Sequence, residues 1–292
     1  MSLSHQPAVL LPPAAHGRSF TLRRHPDADP RTALERLAAA FPIEWGAIGL
    51  GAPLIRAIGG AVPGLRPFAA PAAAVDIPAT QADVWIALRG DDRSTVFDRA
   101  EALARLVDGA FEIADAVDTF LYAGGRDLTG YVDGTANPIE AEALAVAVCE
   151  AGSATPLSSF AAVQRWHHDL ARFRRHDEAG RDAIIGRRFT DDEEIEDAPE
   201  SAHVKRTAQE LFDPEAFMVR RSMPFATPEA CGLEFVAYCR TLDAFERMLA
   251  HMAGADDGIV DALFGFSRPV TGGYYWCPPV RDGRLDLGIL GS

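Results

Sequence analysis

The order of hydrophobic patterns in the first 123 residues does most to limit the fold. Residues 18–24 carry the β-formers Phe20 and Thr21 and read as a strand. Asp29-Pro30 then opens a helix to Phe41: Asp suits the N-cap, Pro suits the first helical position, and Leu34, Leu37 and Phe41 make an apolar stripe. Residues 47–50 are a short apolar strand ended by Gly51, and a Pro- and Ala-rich connection covers residues 53–80. Residues 83–89 form a compact strand. Residues 93–107 place Val96, Phe97, Ala100, Leu103 and Leu106 at helical spacing, and residues 110–123 close with a strand. Strand–helix–strand twice over is the ferredoxin-like pattern, an antiparallel sheet with two helices on one face.

The second half repeats this more loosely. Strands are expected over residues 160–166, 217–221, 232–238 and 273–277, with helices over 169–173, 179–185 and 241–251. No close sequence repeat accompanies it, so any symmetry is architectural. A chain of 292 residues suffices for two medium domains. The expectation is therefore an α+β protein of two ferredoxin-like domains, residues 1–142 and 143–292. The acidic run at residues 191–197 is expected to be a solvated loop within the second.

Charge narrows the partners. The formal net charge of −14 repels a polyanion over most of the surface, so nucleic-acid binding is not expected. Lys205-Arg206 and Arg220-Arg221 then stand out as local positive charge in an acidic protein. No apolar run is long enough to cross a bilayer, and neither a Sec nor a twin-arginine signal is legible at the start. Cys149, Cys231, Cys239 and Cys277 form no C-x-x-C pair. These features point to a cytoplasmic protein without a membrane partner.

The segment from Gly124 to Pro138, Gly-Gly-Arg-Asp-Leu-Thr-Gly-Tyr-Val-Asp-Gly-Thr-Ala-Asn-Pro, cannot be a helix interior or a central strand. It is a shaped loop that aims Asp133. It resembles the G-x-x-D-G loop of the dye-decolorising peroxidases, a family of haem enzymes. One departure is Ala136, where many members carry an acid. Further similarity covers nearly the whole chain, including residues 80–90, Val163-Gln164-Arg165-Trp166 and residues 267–274.

A haem peroxidase needs an axial iron ligand, a carboxylate behind it, an acid–base group on the opposite face and a fixed donor for developing charge. The resemblance distributes these roles. Ser201-Ala202-His203-Val204-Lys205-Arg206 is similar to the stretch bearing the proximal ligand, which implies that His203 binds iron and makes Arg206 a candidate for a haem propionate. Arg220-Arg221-Ser222-Met223-Pro224 is similar to the distal-arginine segment; Arg220 is implied in the pocket and Ser222 as a neighbouring donor. Two arginines alternate across a strand, so only one can face the pocket, and Arg221 is the alternative. Asp133 would be the acid–base group, with Gly134 and Thr135 beside the cofactor. Asp261 would stand behind His203, and Leu233 and Phe235 would line the distal side.

The implied activity is reduction of hydrogen peroxide by haem b, held mainly by the second domain. A ferryl intermediate would oxidise bulky or phenolic one-electron donors, with Tyr131, Trp166, Tyr274 or Trp276 as routes for the electrons. The rival is a haem-binding or haem-handling protein whose peroxidase activity is incidental. A homo-oligomer is expected. The tail Leu285-Asp286-Leu287-Gly288-Ile289-Leu290 resembles the peptides that load such enzymes into encapsulin shells; an ordinary chain end is the plainer reading.

Overall fold

The computed structural model describes residues 3–291; Met1, Ser2 and Ser292, which end the two terminal segments discussed above, lie outside it. The chain begins with β1 (Leu3–Ser4) and then lays down β2 (His16–Arg24), α1 (Pro30–Ala40), β3 (Gly46–Gly51), α2 (Ala52–Ala57), β4 (Val84–Gly90), α3 (Arg93–Val107) and β5 (Phe111–Phe120). The cap chemistry is as the residues dictate. Asp29 accepts the Thr32 N–H ahead of α1, and Asp92 accepts that of Thr95 ahead of α3. Two local expectations change. The connection after β3 contains α2, with proline in its first turn, where the missing N–H is harmless. On α3 the buried face is Val96, Ala100, Leu103 and Val107, so Phe97 points outward at 55% exposure.

After α4 (Glu140–Ala147) the pattern recurs as β6 (Ser159–His168), α5 (Leu170–Phe173), α6 (Glu178–Ile185), α7 (His203–Arg206), β7 (Val219–Arg220), β8 (Met223–Ala226), β9 (Cys231–Cys239), α8 (Asp243–Met252), β10 (Ser267–Pro269) and β11 (Gly273–Cys277). The order β5-β2-β4-β3 in the first half and β11-β6-β9-β7 in the second is the same ferredoxin-like order. The two sheets join edge to edge: Gly51 pairs with Tyr275 and Leu50 with Trp276, giving one ten-stranded sheet. Residue 142, the expected domain boundary, falls inside α4.

One core lies under α1, α3 and α8 and runs through both halves. A smaller core on the other face holds Trp85, Val163 and Tyr275 beneath α4 and the Val9 segment. The chain ends in β12 (Val280–Arg281) and β13 (Arg284–Leu285), which pair with each other while β12 also pairs with β1. Leu285 and Leu290 are buried in the larger core, and Arg31 of α1 donates to the Gly291 carbonyl at 3.1 Å. No helix among the described residues is long and apolar enough to cross a membrane.

Candidate functional site

A cavity with about 1200 Å³ of empty volume, mouth included, opens between the β6–β9 face and α8. Strand alternation builds its floor. Gln164, Trp166 and His168 of β6 project to the same side as Leu233 and Phe235 of β9, with Gln164 opposite Phe235 and Trp166 opposite Leu233. Phe245, Met248, Leu249 and Met252 of α8 supply the facing apolar wall. The shape and lining suit a large, mostly apolar molecule with a few polar anchors.

His203 stands at the start of α7 and reaches this cavity. Its Nδ1 lies 2.7 Å from Asp261 Oδ2, which leaves Nε2 as the free ring nitrogen. Asp261 is 1% exposed, and its other oxygen accepts the Leu263 N–H at 2.8 Å, capping the short turn Ala262–Gly265. Burial works against the His203 imidazolium, but the Asp261 charge and hydrogen bond outweigh it and raise the pKa. A histidine oriented by a buried carboxylate is the arrangement that metal-binding imidazoles use.

The loop after β5 forms the opposite rim. Gly130 and Gly134 adopt left-handed φ values of +93° and +78°, which fold residues 124–134 back on themselves. The Asp133 N–H donates to the Gly125 carbonyl at 3.1 Å, and Gly134 and Thr135 follow along the cavity wall. Arg220 of β7 lines the cavity too, whereas Arg221 turns away and donates to the carbonyls of Leu10 and Leu11 at 2.7 Å each. Asn137 fastens loop to strand: it accepts the Arg220 N–H at 2.8 Å and donates to the Arg220 carbonyl at 3.1 Å. Among the described residues, the Arg220 guanidinium has no hydrogen-bond or ion-pair partner, and the Asp133 carboxyl is in no ion pair and is held only by the neighbouring Gly134 N–H, so both remain open to a ligand. Burial pushes the Asp133 carboxyl up; Arg220 opposes that and Asp127 adds to it. Burial also lowers the Arg220 pKa, against the attraction of Asp133.

Not every expected residue reaches the cavity. Arg206 is 2% exposed and turned away, holding Asp257 through two bonds of 2.7 and 2.8 Å and the His251 carbonyl at 2.6 Å. This places it as a clamp between α7 and the end of α8 rather than at the periphery of a cofactor. The Oγ of Ser222 accepts the Val236 N–H at 3.3 Å, and Ser222 is not among the cavity-lining residues. The acidic run is not wholly a solvated loop, because Glu194 lies at the cavity wall and pairs with Arg187 at 3.2 Å. Arg187, Gln164 and His168 line the cavity without having been singled out in sequence. Only the basic pair Arg187-Arg188 ahead of the acidic run gave a hint. Of the four aromatics named as electron routes, Trp166 alone lines the cavity; Tyr274 and Trp276 are fully buried elsewhere.

The donor set fits haem. There is one imidazole with a free nitrogen, an apolar slot, a cavity-lining guanidinium at Arg187 for an anionic edge, and the Gln164 Nε2, a buried donor with no partner among the described residues.

Comparison with known proteins agrees. The model of the C-terminal part of Dyp-type peroxidases matches residues 124–282. The dye-decolorizing peroxidase of Mycolicibacterium paratuberculosis is 34% identical over 242 residues, spanning 73% of this chain and 68% of that one. That of Brevibacterium linens is 31% identical over 223 residues, 74% of this chain and 61% of its own length. Among solved structures, a dye-decolorizing protein from V. cholerae superposes with a TM-score of 0.83 at 27% identity, covering 95% of this chain and 97% of that one. A Rhodococcus jostii protein variant in complex with heme has the same fold, with a TM-score of 0.86 at 24% identity over 93% and 95% of the two chains. With a family model matching over half its length and relatives above 30% identity, the chain belongs to the Dyp-type peroxidases, a family of haem enzymes.

Proposed function

We propose that this protein uses haem b to reduce hydrogen peroxide to water while bulky or phenolic donors each give up one electron. The observation that carries the reading is the convergence of two charged side chains that are in no ion pair, Asp133 and Arg220, on the cavity that the His203–Asp261 pair also enters. His203 would bind the iron through Nε2, and Arg187 would meet a propionate. Haem, when bound, supplies the iron on which peroxide is held and the store from which electrons are exchanged.

The protein supplies the proton and charge management. Asp133 in its ionised form takes the proton from one peroxide oxygen and returns it to the other, which leaves as water. Arg220 stabilises the negative charge that gathers on that leaving oxygen, and the low-dielectric surroundings strengthen the interaction. Asp261 keeps the His203 ring in one orientation and raises its basicity. Trp166, at the cavity wall and 5.2 Å from the Phe264 ring, is the favoured path for electrons from donors too bulky to enter. The apolar tail residues are packed against the molecule's own first half, which favours the ordinary chain end over a free shell-loading peptide.

The test is the visible spectrum of haem-loaded protein before and after one equivalent of peroxide. A Soret band that shifts with peroxide and is lost in His203→Ala is expected. A Soret band that ignores peroxide would overturn the reading in favour of haem handling.

A further inference from the structure

A buried hydrogen-bonded chain beyond the residues already assigned ties the Asp133 loop to the cavity floor. It starts at Asp127. Oδ1 of that side chain accepts the N–H and the hydroxyl of Thr129 at 2.8 and 2.6 Å, closing a tight Asx turn. The Asp127 N–H donates to the Tyr131 carbonyl at 2.9 Å, and its own carbonyl accepts the Gly130 N–H at 2.8 Å. Oδ1 is thus committed within the loop, while Oδ2 reaches outside it to His168 Nε2 at 3.1 Å. The other ring nitrogen, Nδ1, lies 2.7 Å from Ser267 Oγ, which belongs to the residue directly across the β6–β10 ladder. The His168 side chain is only 5% exposed.

The chemistry fixes the direction of these bonds. An ionised carboxylate only accepts, so Nε2 carries the hydrogen toward Asp127. Nδ1 then accepts from the Ser267 hydroxyl when the ring is neutral and donates to it when the ring is charged. In either state both nitrogens are filled, and turning the ring breaks two bonds. The strut ends on the segment that carries Asp133. Arg126 bridges to Val132, and the Asp133 N–H is bonded back to Gly125, so a shift of Asp127 is passed to Asp133.

We propose that His168 is a positioning residue for Asp133, acting through Asp127 and held in place by Ser267. This rests on the reading of Asp133 as the acid–base group and concerns how that group is kept in place. An ångström of misplacement can cost about 100-fold in rate, so a strut of this kind matters to the chemistry.

Two variants of the haem-loaded protein test it. In His168→Gln the amide nitrogen can still donate to Asp127; in His168→Leu an apolar group of similar size cannot. The readouts are the rate of the peroxide reaction without donor and hydrogen exchange at the Thr129 and Asp133 amides. His168→Leu is expected to slow the peroxide reaction by roughly 10- to 100-fold and to speed exchange at both amides, with His168→Gln restoring much of each. Equal behaviour of the two variants in both readouts overturns the proposal. Should His168→Leu fail to fold, Ser267→Ala is used instead: faster exchange at Thr129 supports the strut, and unchanged exchange overturns it. Failure of the underlying reading looks different, since wild type would then ignore peroxide or Asp133→Asn would react normally.

Discussion

At the scale of single residues, Asp133 is held in a state that costs stability at neutral pH and, on the proposed function, serves reactivity. Burial raises its pKa, Arg220 opposes the rise and Asp127 adds to it. Between the ordinary carboxyl pKa and this raised one, the folded protein keeps a proton that the unfolded chain has released. Stability therefore falls as pH rises through that window, and at neutral pH the ionised side chain is a net burden. Asp133→Asn should melt higher than wild type at pH 7 with haem bound, yet react with peroxide about 10²- to 10⁴-fold more slowly. In wild type the same step should fail as pH drops through the raised pKa, since only the ionised form accepts a proton. A pH series of peroxide reaction rates, alongside thermal midpoints of both proteins, checks all three outcomes. Asp133 and His203 could be singled out because each sits in a contiguous motif. The true partner of Arg206 could not: Asp257 lies far along the chain, and nothing local to Arg206 announces it. The same holds for Gln164 and His168, whose exposure to a cavity is decided by which strands become neighbours.

At the scale of elements, periodicity and capping made α1, α3 and α8 and the long strands readable to within a few residues. Of the shorter pieces, β7 and α5 fall within the expected strand at 217–221 and helix at 169–173, whereas α2 and α7 were hidden, because a helix of one or two turns is too short to carry a period. Their positions come from packing. The junction of the two sheets is similarly silent in sequence except for the glycines of β3. A Cβ at Gly49 would lie 2.5 Å from the Tyr275 Cβ, so close approach of β3 and β11 requires its absence. Gly49→Val should destabilise the protein by about 1–3 kcal/mol, measured as a shift of the denaturation midpoint in urea. An unchanged midpoint would mean that the junction yields without loss.

At the scale of the whole molecule, the chain's last residues hold its two halves together. Leu285 and Leu290 enter the core under α1, and the Arg281–Asp286 pair at 2.7 Å shapes the turn that brings them there. Leu290→Ala should cost about 2 kcal/mol, and truncation after Arg281 more, both read from thermal unfolding. Truncation that left stability intact while abolishing capture by a shell protein would restore the loading-peptide reading. The two ferredoxin-like patterns could be read in sequence, but their fusion into one sheet could not, since edge pairing leaves no local trace. That fusion divides the labour. Asp133 comes on a loop that follows the first sheet, whereas His203, the iron ligand of the proposed function, comes from the second half. On the proposed function this arrangement would act as an interlock: a molecule whose halves had not yet joined would lack one of the two groups, and would stay inert toward peroxide until the fold was complete.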